Sequence, residues 1–125
     1  MHIGKKIAVG ILAAALGAAP VSAFAADPTG IWQANDGKSR YKITNCAGDA
    51  LCAKLIWLRD KDDKNRPYLN QVIVQGTQSS ENKWTGTVRH AGDTYAGTMV
   101  MTGENSLKVN GCQGMFCQTV NLSRV

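Results

Sequence analysis

The chain has 125 residues, fourteen Lys and Arg against nine Asp and Glu, a formal charge of +5 and four cysteines. Lys5 and Lys6 account for part of that charge and precede an apolar run, Ile7 to Ala19. Without them twelve basic residues face nine acidic ones, a charge of +3 that is ordinary for a soluble domain and gives no argument for nucleic acid.

From the N-terminus, the positive start, the apolar run, the breaker Pro20 and the small-x-small Ala23-Phe24-Ala25 predict a signal peptide over residues 1–25. An uncleaved membrane anchor is the alternative. It is disfavoured because polar Asp27-Pro28-Thr29-Gly30 follows the small-residue site at once, and no Cys stands there for lipid attachment. The expectation is an exported protein, periplasmic or secreted, not membrane-embedded once mature, with one domain over 26–125. A domain of that size buries a modest share of its surface and gains from covalent cross-links.

In such a compartment Cys46, Cys52, Cys112 and Cys117 read as two disulfides. Three connectivities are open. The local one, Cys46 with Cys52 and Cys112 with Cys117, is favoured because each pair brackets a turn-like stretch. Zinc is disfavoured, since four or five residues separate the paired thiols with no histidine nearby, and C-x-x-C redox chemistry has no matching motif.

The rest of the chain shows short period-two alternation cut by Gly, Asn and Asp, the signature of a hairpin meander. Gly30–Ala34 is the first predicted strand, and Asn35-Asp36-Gly37-Lys38 is a tight-turn signal. Ser39–Asn45 follows with Tyr41 and Ile43 on one face. Cys52–Leu58 is the most apolar strand, with Leu55 and Trp57 sharing a face. Arg59–Pro67 is a polar loop, Gln71–Gly76 the fourth strand, and Ser79–Asn82 a turn. Lys83–Arg89 places Trp84, Gly86 and Val88 together, and Thr94–Thr102 does the same for Tyr95, Gly97, Met99 and Met101. Leu107, Val109 and Gly111 mark a seventh strand. Gln118–Val125 aligns Val120, Leu122 and Arg124, so Arg124 should point inward.

First and last strands are neighbours in a closed meander, so Arg124 can stack on Trp32, a cation–π closure favoured once desolvated. Eight short strands predict an all-β, up-and-down antiparallel barrel of the lipocalin or calycin kind. Mid-strand Gly86 and Gly97 suit sharp coiling, close packing beneath a neighbour such as Trp57, or ordinary edge bulges. Eight strands enclose a lumen that side chains fill or that holds one small ligand. Trp32, Tyr41, Trp57, Trp84, Tyr95, Met99 and Met101 are the expected occupants, leaving room for a small or partly inserted ligand.

The block Cys46-Ala47-Gly48-Asp49-Ala50-Leu51-Cys52-Ala53-Lys54-Leu55-Ile56-Trp57-Leu58 resembles a family of small exported bacterial proteins, DUF2147 (a domain of unknown function). Gly30-x-Trp32, Asp36-Gly37-Lys38, Trp84-Thr85-Gly86, Tyr95-Ala96-Gly97, Gly111-Cys112 to Cys117 and Arg124-Val125 extend the resemblance over nearly all of 26–125. It implies a lipocalin-like barrel without a settled function, proposed to bind a small apolar molecule. Ala53 replaces the usual Gly, Leu122 stands where the family often has Trp, and Val88 to Thr94 lacks its Ile-Tyr-x-Pro hairpin tip.

Other constellations carry little chemistry. Asp60-Lys61-Asp62-Asp63-Lys64-Asn65 has carboxylates for calcium, yet its lysines neutralise them and an EF-hand register fails, so it reads as a solvated loop. His90 lacks an evident catalytic partner, and no Gly-rich phosphate cradle or basic stripe with aromatics is visible. Neither a cofactor, a metal nor an enzymatic site is expected. The expected function is binding of a small apolar or amphipathic ligand, lined by Tyr41, Trp57, Trp84, Tyr95 and Met99, with Gly30, Trp32 and Arg124 closing the barrel. The alternative is a protein-binding module, an inhibitor or envelope adaptor with a filled core. It would act through Met115 and Phe116 on the Cys112–Cys117 loop and through the Arg59–Pro67 loop. Phe116 folded back as a lid over the barrel end is the favoured reading of that loop.

Overall fold

Eight antiparallel strands close on themselves in the computed structural model, which describes residues 26–125. The predicted signal peptide, residues 1–25, lies outside the described residues. The strands are β1 (Gly30–Ala34), β2 (Ser39–Ala47), β3 (Ala50–Leu58), β4 (Val72–Ser80), β5 (Lys83–His90), β6 (Asp93–Gly103), β7 (Ser106–Gln113) and β8 (Phe116–Arg124). Each pairs with its sequence neighbours and β8 returns to β1, so the expected up-and-down antiparallel barrel is the observed fold. Several strands run past their predicted ends because a paired partner is available there: Ala50 opposes Thr77, Ser80 opposes Lys83, and Phe116 opposes Gln113. A single 3-10 turn, Arg66–Tyr68, interrupts the β3–β4 loop.

Alternation delivers the core. Trp32, Ile43, Leu55, Met101 and Leu107 are fully buried, and Ala53, Trp84, Met99, Val109 and Leu122 are nearly so. Burying such side chains contributes about 1.5–3 kcal/mol each relative to exposure, which offsets much of the ordering entropy of a short chain. Both disulfides take the local pairing, Cys46 with Cys52 and Cys112 with Cys117. Each restrains a short hairpin, worth about 2 kcal/mol on the chain-entropy account.

Of the ladder's register shifts one matters most for the site, and a row of glycines joins it in shaping the barrel. On β3 the register steps from Tyr41↔Leu55 to Arg40↔Trp57, so Ile56 is an extra residue in a β-bulge. Beyond the bulge the phase inverts: Leu55 and Leu58 are buried, while Trp57 is 38 % exposed. The expected inward Trp57 is therefore wrong. The glycine row crosses the sheet. Gly76 opposes Gly86, Gly86 opposes Gly97, and Gly97 opposes Gly111, across four consecutive strands on the inner face. A methyl group on Gly86 would overlap the Gln75 carbonyl, and one on Gly97 would overlap Val88 Cγ2. These glycines thus serve close backbone approach where the sheet bends to close, not packing beneath Trp57, which stands on the outer surface.

Candidate functional site

The meander gives the barrel two unlike ends. One end carries residues 26–29, Arg124 and the β2–β3, β4–β5 and β6–β7 tips; we call it the strap end. The other, the mouth end, carries the β1–β2, β3–β4, β5–β6 and β7–β8 connections.

At the strap end Trp32 lies directly opposite Arg124 in the β1–β8 ladder. The guanidinium carbon sits 4.4 Å from the indole centroid. Its nitrogens also donate to three backbone carbonyls on two segments: Thr29 at 2.8 Å, Asp27 at 2.9 Å and Glu104 at 3.1 Å. The indole Nε1 donates to the Pro28 carbonyl at 2.8 Å. Residues 27–29 are thereby strapped across the barrel end. Gly30 has a φ of +130°, and a Cβ there would meet Arg124 Nη1 at 3.0 Å, so glycine is needed both for that backbone angle and for the guanidinium. Gly30, Trp32 and Arg124 are brought together as expected. Asp27 accepts from the Thr29 hydroxyl and amide, which hold its carboxyl below the usual range against slight desolvation, with Arg124 adding to the effect.

At the mouth end the interior is not filled. A cavity of about 70 Å³ is lined by Tyr41, Ile43, Val74, Val88, Met99 and Val109 among others, with His90 and Arg89 at its edge. A second recess of about 70 Å³ runs beneath Tyr95, Gly111 and Gln118 and shares Val88, His90, Val109 and Val120 with the first. The sharing follows from register, since Val74 opposes Val88, Val88 opposes Tyr95, and Met99, Val109 and Val120 form one cross-strand row. Glycine at 111 leaves the inner surface bare of a side chain beside Tyr95, and the second recess lies there. Apart from Arg89 and His90, the first cavity's wall is apolar but for the Tyr41 phenol, to which the buried Ser39 hydroxyl donates at 2.8 Å. Burial pushes that phenol up, opposed by the Ser39 bond, with Asp36 and Asp63 adding to the rise.

Of the residues expected to line a ligand, Tyr41, Tyr95 and Met99 reach this mouth. Trp84 does not. It opposes Met99 but leans toward the strap end, where with Leu51 it lines a polar recess of about 340 Å³ beside Asn45, Asp49 and Gln78. Trp57 lines none of these spaces and lies outside under Arg40, 4.9 Å from guanidinium carbon to centroid. Phe116 is not a lid: it is 82 % exposed and Met115 95 %, held on the Cys112–Cys117 hairpin beside the mouth. Phe116 opposes Gln113 at the last rung of the ladder, beyond the inner row that would carry it over the opening. Val74, Val109 and Val120 were missed as lining residues, though their inward alternation signals them. Among the described residues no group of three His, Cys, Asp or Glu is placed to hold a metal ion.

Comparison with known proteins adds the following. The profile of DUF2147, described as an uncharacterized protein conserved in bacteria, matches residues 30–124. Among solved structures, a redesigned β-barrel superposes with a TM-score of 0.52 at 13 % identity, covering 78 % of this chain and 90 % of that one. At that identity the likeness concerns the fold alone. No curated protein matches the chain.

Proposed function

The chain belongs to the DUF2147 family of uncharacterised bacterial proteins, and from that premise we propose that it is an exported barrel binding a small apolar or amphipathic ligand at its mouth, without catalysis. One observation carries the reading: the apolar cavity framed by Tyr41, Met99 and the valines, left open while the space at the strapped end is polar. Its size constrains the ligand. About 70 Å³ is roughly half of an apolar cavity of about 150 Å³ that takes up benzene. A branched or short alkyl end fits inside, and the remainder of the ligand rests against Val120 and His90 at the rim. Retinoid-sized cargo does not fit. The leader-like N-terminus and the two disulfides support export.

The test uses Val120, which lines both recesses and is 42 % exposed. Val120→Trp should cap the mouth without disturbing the core. Wild type should enhance the fluorescence of an apolar naphthalene probe, and the variant should lose that enhancement while keeping its unfolding midpoint. Equal enhancement by both proteins would remove the mouth from consideration.

A second reading is favoured by the exposure of Met115 and Phe116 on a cross-linked tip: contact with an envelope or extracellular protein. Phe116→Ala should then abolish partner recovery while leaving probe binding unchanged.

A further inference from the structure

The bulge at Ile56 has a result on the outer wall. It turns Trp57 out of the barrel and into a field of cations. Across the outward face of β2 and β3, Arg40 opposes Trp57 and Lys42 opposes Lys54. Lys38 and Arg59 adjoin the top of that ladder, where the Arg59 amide donates to the Lys38 carbonyl at 2.9 Å. On the flanking strands Ile31 stands beside Lys42, and Val72, 37 % exposed, beside Lys54. The four strands β1 to β4 contain no Asp or Glu at all. Among the described residues the one ion pair is Arg59–Asp60, so neither Lys42 nor Lys54 has a carboxylate partner there.

That arrangement works against the fold. Directly opposed residues place their Cβ atoms about 5 Å apart, and like charges there are destabilising. Arg40 is held over the indole, its Nε donating to Gln33 Oε1 at 2.8 Å, so a fixed guanidinium and an exposed aromatic share one patch.

We propose that this face docks on an anionic lipid bilayer, with Trp57 and Val72 resting at the headgroup level and Lys38, Arg40, Lys42 and Lys54 facing acidic headgroups. Charge complementarity points to an anionic occupant. The two exposed apolar side chains select a bilayer over a soluble polyanion: indoles favour the membrane–water boundary, and Val72 offers nothing to a polyanion in water. The contact is peripheral, since Lys, Arg, Thr and Gln occupy the outward positions where a membrane-spanning barrel carries an apolar band.

The chain reports its own docking. Trp32 and Trp84 are buried, at 0 % and 5 %, so a fluorescence change on vesicle addition comes from Trp57. Residues 26–125 hold all eight strands and both disulfides, and are used alone because the apolar leader would partition into lipid by itself. Mixed phosphatidylglycerol–phosphatidylcholine vesicles should shift the emission to the blue and float the protein, with high salt reversing both. Trp57→Phe should keep flotation but lose most of the shift. Lys42→Thr with Lys54→Thr should bind about thirtyfold more weakly, given the contribution of each cation near an anionic surface, while unfolding at equal or higher urea. Val120→Trp should bind vesicles like wild type, which separates this face from the mouth. Equal flotation with pure phosphatidylcholine, or failure to float with the acidic lipid, would overturn the proposal. Heparin or polyphosphate binding that depends on Lys42 and Lys54, without vesicle binding, would replace it with a polyanion site.

Discussion

The two ends of the barrel solve the same problem in opposite ways. At the strap end an indole, a guanidinium and four backbone carbonyls interlock, and Trp32 has no exposed surface. At the mouth end the same inward alternation continues, but glycine at 111 and valine at 74, 88, 109 and 120 leave the centre under-filled. An interior is close-packed only where its side chains are large enough to meet, and here bulk is concentrated at one end. The difference separates stability from binding: one end holds the cylinder shut beneath an open polar recess, and the other leaves an apolar one.

Trp32→Ala should break the comparison most forcefully. Removing a fully buried indole costs about 3–5 kcal/mol, enough to unfold a marginal domain, and urea denaturation followed by far-ultraviolet dichroism would show it. Val120→Ala at the half-open mouth should shift the same curve by well under about 1 kcal/mol. Comparable losses would mean that the mouth is as tightly packed as the strap end.

The glycine row offers the next largest effect and a graded series. Gly86→Ala pushes a methyl into the Gln75 backbone, which cannot rotate away, and should cost about 3 kcal/mol or more. At Gly97 the obstacle is a valine methyl, which can yield, so alanine should cost about 1–2 kcal/mol. Gly111→Ala meets only ordinary contact at 3.4 Å from Tyr95 Cβ and should be nearly neutral. Chemical denaturation of the three variants checks the order. A flat series would show that the row does not set the bend.

Arg124→Lys sharpens the account of the strap. A lysine retains the charge but presents one ammonium, which cannot reach the carbonyls of Asp27, Thr29 and Glu104 together. A loss of about 2 kcal/mol is expected, with proteolysis appearing first near residues 26–29. An unchanged midpoint would reduce the guanidinium to a simple positive charge.

How much of this was legible in the sequence depends on whether alternation ran unbroken. From Val120 through Leu122 to Arg124 it does, and the Trp32–Arg124 closure follows from it. Cys52 to Leu58 alternates as cleanly on paper, yet one bulge inverts its last residues and sends Trp57 outside. A bulge has no hydropathy signature, because Ile56 is as apolar as its neighbours. Gly86 and Gly97 were each visible as anomalies. Their alignment with Gly76 and Gly111 was not, since register depends on turn lengths that composition does not specify. The exposed Phe116 likewise escaped, because an apolar residue on a hairpin tip does not declare whether it turns in or out.

The smallest effect concerns pH, and it distinguishes the mouth from the strap by sign. The folded phenol of Tyr41 is raised above 10.0, chiefly by burial, so the unfolded phenol ionises first as pH increases. The folded state then binds more protons than the unfolded one, and stability falls as pH climbs from about 10 through the folded value. Asp27 behaves oppositely: its lowered carboxyl supports the fold above the unfolded pKa, and that support fades as pH drops through the folded value. Tyr41→Phe should flatten the alkaline fall in urea midpoint while leaving the acid limb unchanged, and Asp27→Asn should do the reverse. If Tyr41→Phe loses stability in parallel with wild type above about pH 10, the phenol is not buried against the mouth and the wall beside the cavity must be more open than its lining residues indicate.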